Sequence, residues 1–426
     1  MIQVLSSAWA LLFGMFLLML GNGMQGTLLG IRGDIEGFGT FGMSIVMSAY
    51  FLGFLGGSRL APRMIKRVGH VRVFAALASA ISAVMIVYPT FPNIIVWTFG
   101  RVLIGFCFSA VYVTAESWLN NAADNSNRGQ ALSLYMIVQT LGIVAAQALL
   151  LTADPGGFVL FVIPSVLVSI AVTPILLSIS PTPAFDSTKP MSLRELYGFS
   201  PLGCVGMFLL GGIFSAQFGM SSVYGAEAGL SVAQISTFVA TFFVGAVVLQ
   251  YPIGWISDRM DRRHLIIVVS VIGGAGCMMG MLLGDVFYLL LVASFVIGGM
   301  ANPLYSLLIA HTNDFLQHDD MAAASGGLLF INGLGAILGP VITGWMMGTS
   351  LGPGGFYLFT GILFAVLVVY AAYRSTVRAA PVSDQTGAYV AMAPTATAVA
   401  VEIAQEYAIE TELEGEAEKD ADKEQS

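Results

Sequence analysis

Charge is scarce in this chain. Only 10% of its 426 residues are Asp, Glu, Lys or Arg, against about 25% in an ordinary soluble domain, while 57% are hydrophobic. So few charges cannot clothe a water-facing surface, which excludes soluble enzymes and nucleic-acid binders before any motif is read. Cysteine is almost as rare: Cys107, Cys204 and Cys277 each sit inside an apolar run, too scattered for a disulfide framework or a metal site, and read as packing residues. The sequence also lacks a phosphate-binding loop in a soluble domain, a His/Cys/Asp spacing suited to a metal, and a nucleophile elbow with a supporting base. ATP-driven pumping and hydrolysis are therefore disfavoured, and no enzymatic activity, cofactor or metal is expected.

Long apolar runs are what the chain has in abundance. Twelve stretches reach the roughly 20 residues that a membrane-crossing helix needs, the first at Ala8–Leu29 and the last at Gly355–Tyr373. The expected fold is therefore all-α and integral to a membrane, with lipid as its surroundings. Met1–Ser7 holds no basic residue and leads into a span-length run, so the start reads as a first span and not as a cleavable leader. With the amino terminus inside, the inner loops collect Arg59, Arg63, Lys66, Arg67, Arg72, Arg128, Lys189, Arg194, Arg259, Arg262, Arg263, Arg374 and Arg378, and the outer loops hold Arg32 alone. That asymmetry places both termini in the cytoplasm.

The connection Ser180–Ser200, with Pro181, Pro183 and Pro190, divides the spans six and six. Residues 1–180 are expected to form an N-terminal six-helix bundle, 181–200 a cytoplasmic linker, 201–374 a C-terminal six-helix bundle, and 375–426 a disordered acidic tail. Each bundle has a basic loop between its second and third spans, about 192 residues apart, a repeat that suggests two units packed around a central path. The formal charge of −8 belongs to the tail, where 11 acidic and three basic residues follow Ser375, and so says nothing about a substrate. Its Ala, Thr and Glu composition reads as a solvated extension, with a short helix near Val399 to Tyr407.

One loop carries a specific signal. Gly254-Trp-Ile-Ser-Asp258-Arg259-Met-Asp261-Arg262-Arg263 resembles the loop signature of the major facilitator superfamily, a Gly followed by Asp-Arg and paired basic residues. A carboxylate at a helix end accepts hydrogen bonds from free amides and pairs with Arg; the resemblance implies that Asp258, Arg259 and Arg262 form a gating latch that steadies an outward-open state. The bland reading is positive-inside charge alone. In the first half the corresponding stretch, Ile65-Lys66-Arg67-Val68-Gly69-His70-Val71-Arg72, has Lys66 in the acid's place, so no carboxylate latch forms there. This form, with Glu116-Ser-Trp-Leu-Asn120 and Asn127-Arg-Gly129, is similar to the bacterial group of YcaD-like transporters. The resemblance covers Ala8 to Arg374 and implies twelve helices in two halves around a central cavity.

Polar residues inside spans mark the candidate path. Arg101-Val-Leu-Ile-Gly105 resembles the superfamily's fourth-span Arg and Gly. At 100° per residue, Gly105, Tyr112 and Glu116 lie about 40°, 20° and 60° from Arg101, on one helix face. A charge within a span costs at least ~2.5 to 3.5 kcal/mol, so each should face the cavity or a partner. Arg101 is read as an anion-binding or proton-relay residue and Glu116 as a coupling carboxylate; both joining interhelical polar networks is an equal alternative. Asn22 and Gln25 in the first span, Tyr135 and Gln139 in the fifth, Gln217, Ser221 and Tyr224 in the seventh, Asn302 and Tyr305 in the tenth and Asn332 in the eleventh complete the candidate substrate contacts, with helix-to-helix hydrogen bonding as the competing role. His311 is a candidate gating partner of Glu116, although a capping and loop role for His311 to Asp314 is the stronger reading.

Gly335-Ala-Ile-Leu-Gly339-Pro340 offers the eleventh span a close-packing and bending site. A comparable motif in the fifth span marks superfamily antiporters, including drug exporters; here that span reads Leu141-Gly-Ile-Val-Ala-Ala-Gln147 without proline, which counts against drug export. The leading expectation is a monomeric secondary transporter in a bacterial inner membrane. It would move a small polar solute, with organic anions among the candidates, by proton symport or facilitated uptake. Proton-coupled efflux of a metabolite or toxic compound is the alternative within the class, and a transporter-like ligand receptor the alternative outside it.

Overall fold

A computed structural model of the chain describes residues 2–122, 128–177, 191–377, 389–392, 394–397 and 399–406. Among them there is helix and no strand, as hydrocarbon demands, since a helix satisfies its backbone polar groups internally. The elements are α1 (Ile2–Ile35), α2 (Thr40–Val68), α3 (His70–Thr90), α4 (Ile94–Ala122), α5 (Arg128–Leu149), α6 (Val159–Leu177), α7 (Leu193–Phe199), α8 (Pro201–Ser215), α9 (Ser221–Glu227), α10 (Val232–Ser257), α11 (Arg262–Leu283), α12 (Phe287–Asn313), α13 (His318–Met347) and α14 (Gly355–Val377). Residues 399–406 form a last helix, α15. A π-helical turn, Ala216–Met220, joins α8 to α9 into one span. Twelve helices are long and apolar enough to cross a membrane, the first over Ala8–Ile35 and the seventh over Pro201–Glu227; both run past the stretches read from hydropathy to take in charged ends, Arg32 and Asp34 in the first and Glu227 in the seventh. Large apolar side chains such as Ile95, Phe99 and Tyr251 stand well exposed on the outer faces, as a lipid-facing surface requires. Cys107, Cys204 and Cys277 are buried and unbridged.

The first six helices pack mainly among themselves and the later ones do the same. Two crossings set the tightest approaches. A Cβ on Gly53 of α2 would run into the Val102 carbonyl, and one on Gly105 of α4 into the Tyr50 carbonyl. The second half repeats this, with Gly245 of α10 against Phe295 and Gly298 of α12 against Phe242, 192 and 193 positions later. Small residues let helix backbones come together where apolar burial alone gives no driving force.

We call the end that carries Arg59, Arg63, Lys66, Arg72 and Arg259 the basic end. At the opposite end the halves meet: Ser222 of α9 abuts Gly30 of α1, and Gly344 of α13 lies against Ser44 of α2, while the Thr40 hydroxyl donates to the Glu227 carboxylate. Toward the basic end α2 and α13 diverge around a cavity of about 920 Å3.

Of the 375–426 stretch expected to be a disordered tail, residues 378–388, 393, 398 and 407–426 lie outside the described residues. Residues 389–392, 394–397 and 399–406 pack into the basic-end opening, with Ala400 and Val401 fully buried. Their apolar side chains find a ready-made surface on other helices, which composition alone does not reveal. The helix expected near Val399 to Tyr407 is present at 399–406.

Candidate functional site

Sequence reasoning put Arg101, Tyr112 and Glu116 on one face of α4, and all three are buried. Arg101 points at α1, where its Nη1 donates to Gln25 Oε1 at 2.8 Å. Gln25 Nε2 donates to Asn22 Oδ1 at 3.2 Å, and Asn22 Nδ2 donates to the hydroxyls of Tyr112 at 3.0 Å and Tyr50 at 3.5 Å. The Tyr112 hydroxyl ends the chain on Met19 Sδ at 3.4 Å. Four residues picked from sequence thus form one buried polar network between α1 and α4.

Tyr50 of α2 escaped the sequence reading. Its ring lies 4.8 Å from the Arg101 guanidinium carbon, a cation–π distance, and the same ring lines the cavity. Met47, one turn earlier, receives Arg101 Nη2 at 3.6 Å. Neither residue belongs to a polar stripe, so a search for polar side chains passes them by. Arg101 therefore lies one layer behind the cavity wall. Among the described residues no carboxylate pairs with it, and its Nε has no hydrogen-bond partner.

Glu116 lies about four turns further along α4. Its carboxylate accepts from the Tyr135 hydroxyl of α5 at 3.4 Å and from both the amide, at 3.3 Å, and the hydroxyl of Thr397. Gln139 is buried one turn from Tyr135. Thr397 was invisible as a site residue because only the folded tail brings it there.

The second-half candidates are more dispersed. The π turn separates Gln217 from Ser221 and Tyr224, so the stripe expected from i, i+4, i+7 spacing is broken. Gln217 Nε2 is buried without a partner, Ser221 is buried, and Tyr224 joins Phe238, Phe356 and Tyr357 in an aromatic cluster. Asn302 folds back to the Gly298 carbonyl at 3.0 Å. Asn332, which lines the cavity, donates to the Met207 carbonyl at 3.1 Å. Tyr305 is buried with an unpartnered hydroxyl, and His311 stacks edge-on against Phe315.

The cavity runs from Tyr50 and Phe54 to a mouth edged by Arg59, Arg63 and Lys66. The Arg59 guanidinium sits 4.1 Å from the centre of the Phe330 ring on α13, so the mouth is bounded by both halves. Twelve spans in two groups of six, a polar network at mid-span and a cavity between the halves toward one end form a transport architecture.

The sequence profile of the Major Facilitator Superfamily matches residues 11–201 and again residues 202–405. The chain belongs to the major facilitator superfamily. It is thus a multi-pass membrane transporter and not an enzyme. A relative from Yersinia pestis strain Pestoides F, described as an uncharacterized MFS-type transporter, is 26% identical over 84% of this chain and 94% of its own length. YcaD of Escherichia fergusonii, described in the same words, is 25% identical over 79% and 88%. Among solved structures, a point variant of the nucleoside transporter NupG overlays with a TM-score of 0.75 at 14% identity, covering 86% of this chain and 98% of the other. The E. coli fucose:proton symporter FucP gives 0.56 at 16%, over 88% and 99%. A bacterial homologue of the human lysosomal transporter Spinster, inward-facing and unoccupied, gives 0.67 at 14%, over 94% and 97%.

The superfamily loop signature is well ordered. Arg262 is buried at the start of α11 and reaches the Asp314 carboxylate and, at 3.4 Å, the Ala310 carbonyl at the end of α12; Asp258 lies 3.8 Å away. Arg259 instead folds onto its own helix, donating to the Trp255 carbonyl and stacking on that ring. Asp261 caps α11 through the Arg263 amide at 2.9 Å. Burial opposes its charge, but the hydrogen bonds and charge of Arg263 outweigh that and hold its pKa below the usual value. In the first half, Gly69 turns the chain with φ +84° and His70 Nε2 lies 3.0 Å from the Ser117 hydroxyl.

Proposed function

We propose that this superfamily member is a secondary transporter of a small polar solute bearing an anionic group, working by alternating access. The carrying observation is Arg101: a buried guanidinium, without a carboxylate partner among the described residues, beneath the tyrosine that ends the cavity. Uncompensated positive charge in a low-dielectric site favours an anion over a cation. Asn22, Gln25 and Tyr112 hold the guanidinium, and Tyr50 separates it from the cavity. Gln139, Gln217, Ser221, Asn302, Tyr305 and Asn332 are proposed as the surrounding polar lining.

In this reading the basic end is cytoplasmic, by the positive-inside asymmetry of its Arg and Lys residues. The host is a bacterial inner membrane, both termini lie inside, and the state described is inward-facing. Residues 1–180 and 201–374 rock as two bodies, working as a monomer, with the Asp258, Arg259 and Arg262 loop and His311 at the gate. Glu116 couples transport to protons in the uptake direction; FucP gives proton symport a precedent within the fold.

A thermal-shift screen of the purified protein against metabolite classes tests the anion reading, because a ligand bound only by the folded state raises stability. Organic anions should raise the unfolding midpoint of the native chain and leave that of Arg101→Gln unmoved. Stabilisation by amphipathic cations alone would overturn the anion assignment and move efflux ahead. For coupling, Glu116→Gln should abolish proton-driven accumulation yet preserve exchange of bound solute; loss of both would make Glu116 structural.

A further inference from the structure

The tail does more than fill space at the basic end. Its contacts fall on elements of both halves. The Tyr389 amide donates to Asp258 at 3.0 Å, and its hydroxyl accepts from Gln250 of α10 at 2.8 Å. The Met392 amide donates to the Ser306 hydroxyl of α12 at 2.8 Å. Thr397 then takes Glu116 of α4, and Gln405 Nε2 reaches Asn313 at 3.3 Å and Ser325 of α13 at 2.9 Å. Between these anchors Met392, Ala396, Ala400, Val401, Ile403 and Ala404 are all buried.

Three features mark this as an occupied doorway. Pro394, Thr395, Thr397, Val399 and Glu402 form part of the cavity wall, so the segment stands between Glu116 and the mouth. Residues 389–406 carry no Lys or Arg, so the segment adds no positive charge to an opening that already holds Arg59, Arg63 and Lys66. Its buried apolar side chains beyond Met392 are Ala396, Ala400, Val401, Ile403 and Ala404, and a tethered segment needs little intrinsic affinity because its effective concentration is in the millimolar range. Weak contacts with a high local concentration describe something that docks and leaves.

We infer that residues 389–392, 394–397 and 399–406 form an intramolecular plug that closes the basic-end entrance and occupies Glu116, so that nothing reaches that carboxylate from the basic end until the segment has withdrawn. Thr397 is the plug's contact with the site, satisfying a buried carboxylate that would otherwise lack partners on that side.

The test measures access in the full-length chain and needs no known substrate. Val113 lines the cavity one turn before Glu116 and is buried. A Val113→Cys chain in detergent is treated with a hydrophilic maleimide, the three buried native cysteines setting the background. Placing charge in the docked surface with Ala400→Glu and Val401→Glu should raise labelling at position 113 about tenfold or more. Conversely, joining Gln405→Cys to Ser325→Cys with a short bifunctional thiol reagent should bring labelling down to background. Equal labelling with and without the wedge charges would overturn the plug. If the wedge variant fails to fold, the cross-linked pair decides alone: failure to cross-link, or labelling unchanged by the cross-link, overturns it as well. Because labelling reports access and not flux, the result stands apart from whether organic anions bind.

Discussion

Arg101 has an amide, a thioether and an aromatic ring as its neighbours, and each holds a different part of it. Among the described residues Arg101 Nη1 donates to Gln25 Oε1, so Gln25→Ala should leave Nη1 unsatisfied and lower stability by about 1.5 to 3 kcal/mol, read from denaturant unfolding in mild detergent. Arg101→Lys keeps the charge but loses the planar fork that spans Gln25 and Met47, and should stabilise less against organic anions than the native chain does. A third prediction concerns Glu402. Burial, and secondarily the charge of Glu406, raises its pKa above 4.5 in the docked tail, with Arg59, Arg63 and Lys66 lining the same cavity. A carboxyl with a raised docked-state pKa favours docking most below its free value and loses that contribution as pH rises through the docked one. A spin label at Ala404→Cys should therefore be more immobile near pH ~4.5 than near pH ~7.5, and Glu402→Gln should flatten the difference. Polar side chains such as Asn22, Gln25 and Arg101 were legible in the sequence because each interrupts an apolar run, and Tyr112 because it shares a helix face with Arg101. Tyr50 was not, since an aromatic residue within a span is indistinguishable from packing until the cation beside it is located.

At the scale of elements, the α2–α4 crossing makes a paired prediction. Gly105→Ala puts a methyl group against the Tyr50 carbonyl, where backbone must move, and should cost about 1 to 3 kcal/mol. Gly26→Ala meets nothing within 4 Å and should be neutral or stabilising by up to about 1 kcal/mol through helix propensity alone. Comparing the two midpoints separates packing from propensity. Helix number and order were readable because a span is mostly a matter of apolar length. The split of Gln217 from Tyr224 was not, because a π turn is set by what the helix must pack against and has no local signature in Ala216–Met220. The Arg262 pairing with Asp314 was likewise hidden: the loop motif announces an arginine, while its partner lies at the end of α12.

At the scale of the whole molecule, the contacts at the end opposite the basic one hold the halves together in the state described. Linking Thr40→Cys to Glu227→Cys, a pair whose native side chains hydrogen-bond, should leave folding intact and stop exchange of a bound solute, with reduction restoring it; exchange undiminished by the link would mean that the halves need not part there. The twelve-span plan was legible from the count of apolar runs. The docked tail was not, because its folding rests on surface supplied by α4, α10, α12 and α13. The π turn has one more consequence. Gly211 and Ser222 are 11 residues apart, which in an uninterrupted α-helix is a phase difference of about 20°, so both would aim at the same neighbour. One surplus residue resets that phase by about 100°. Gly211 accordingly meets α13 of its own half, and Ser222 meets Gly30 of the other. The seventh span is geared, in effect: below the turn it meshes within its own bundle, above it across the seam, so its register decides which half it travels with.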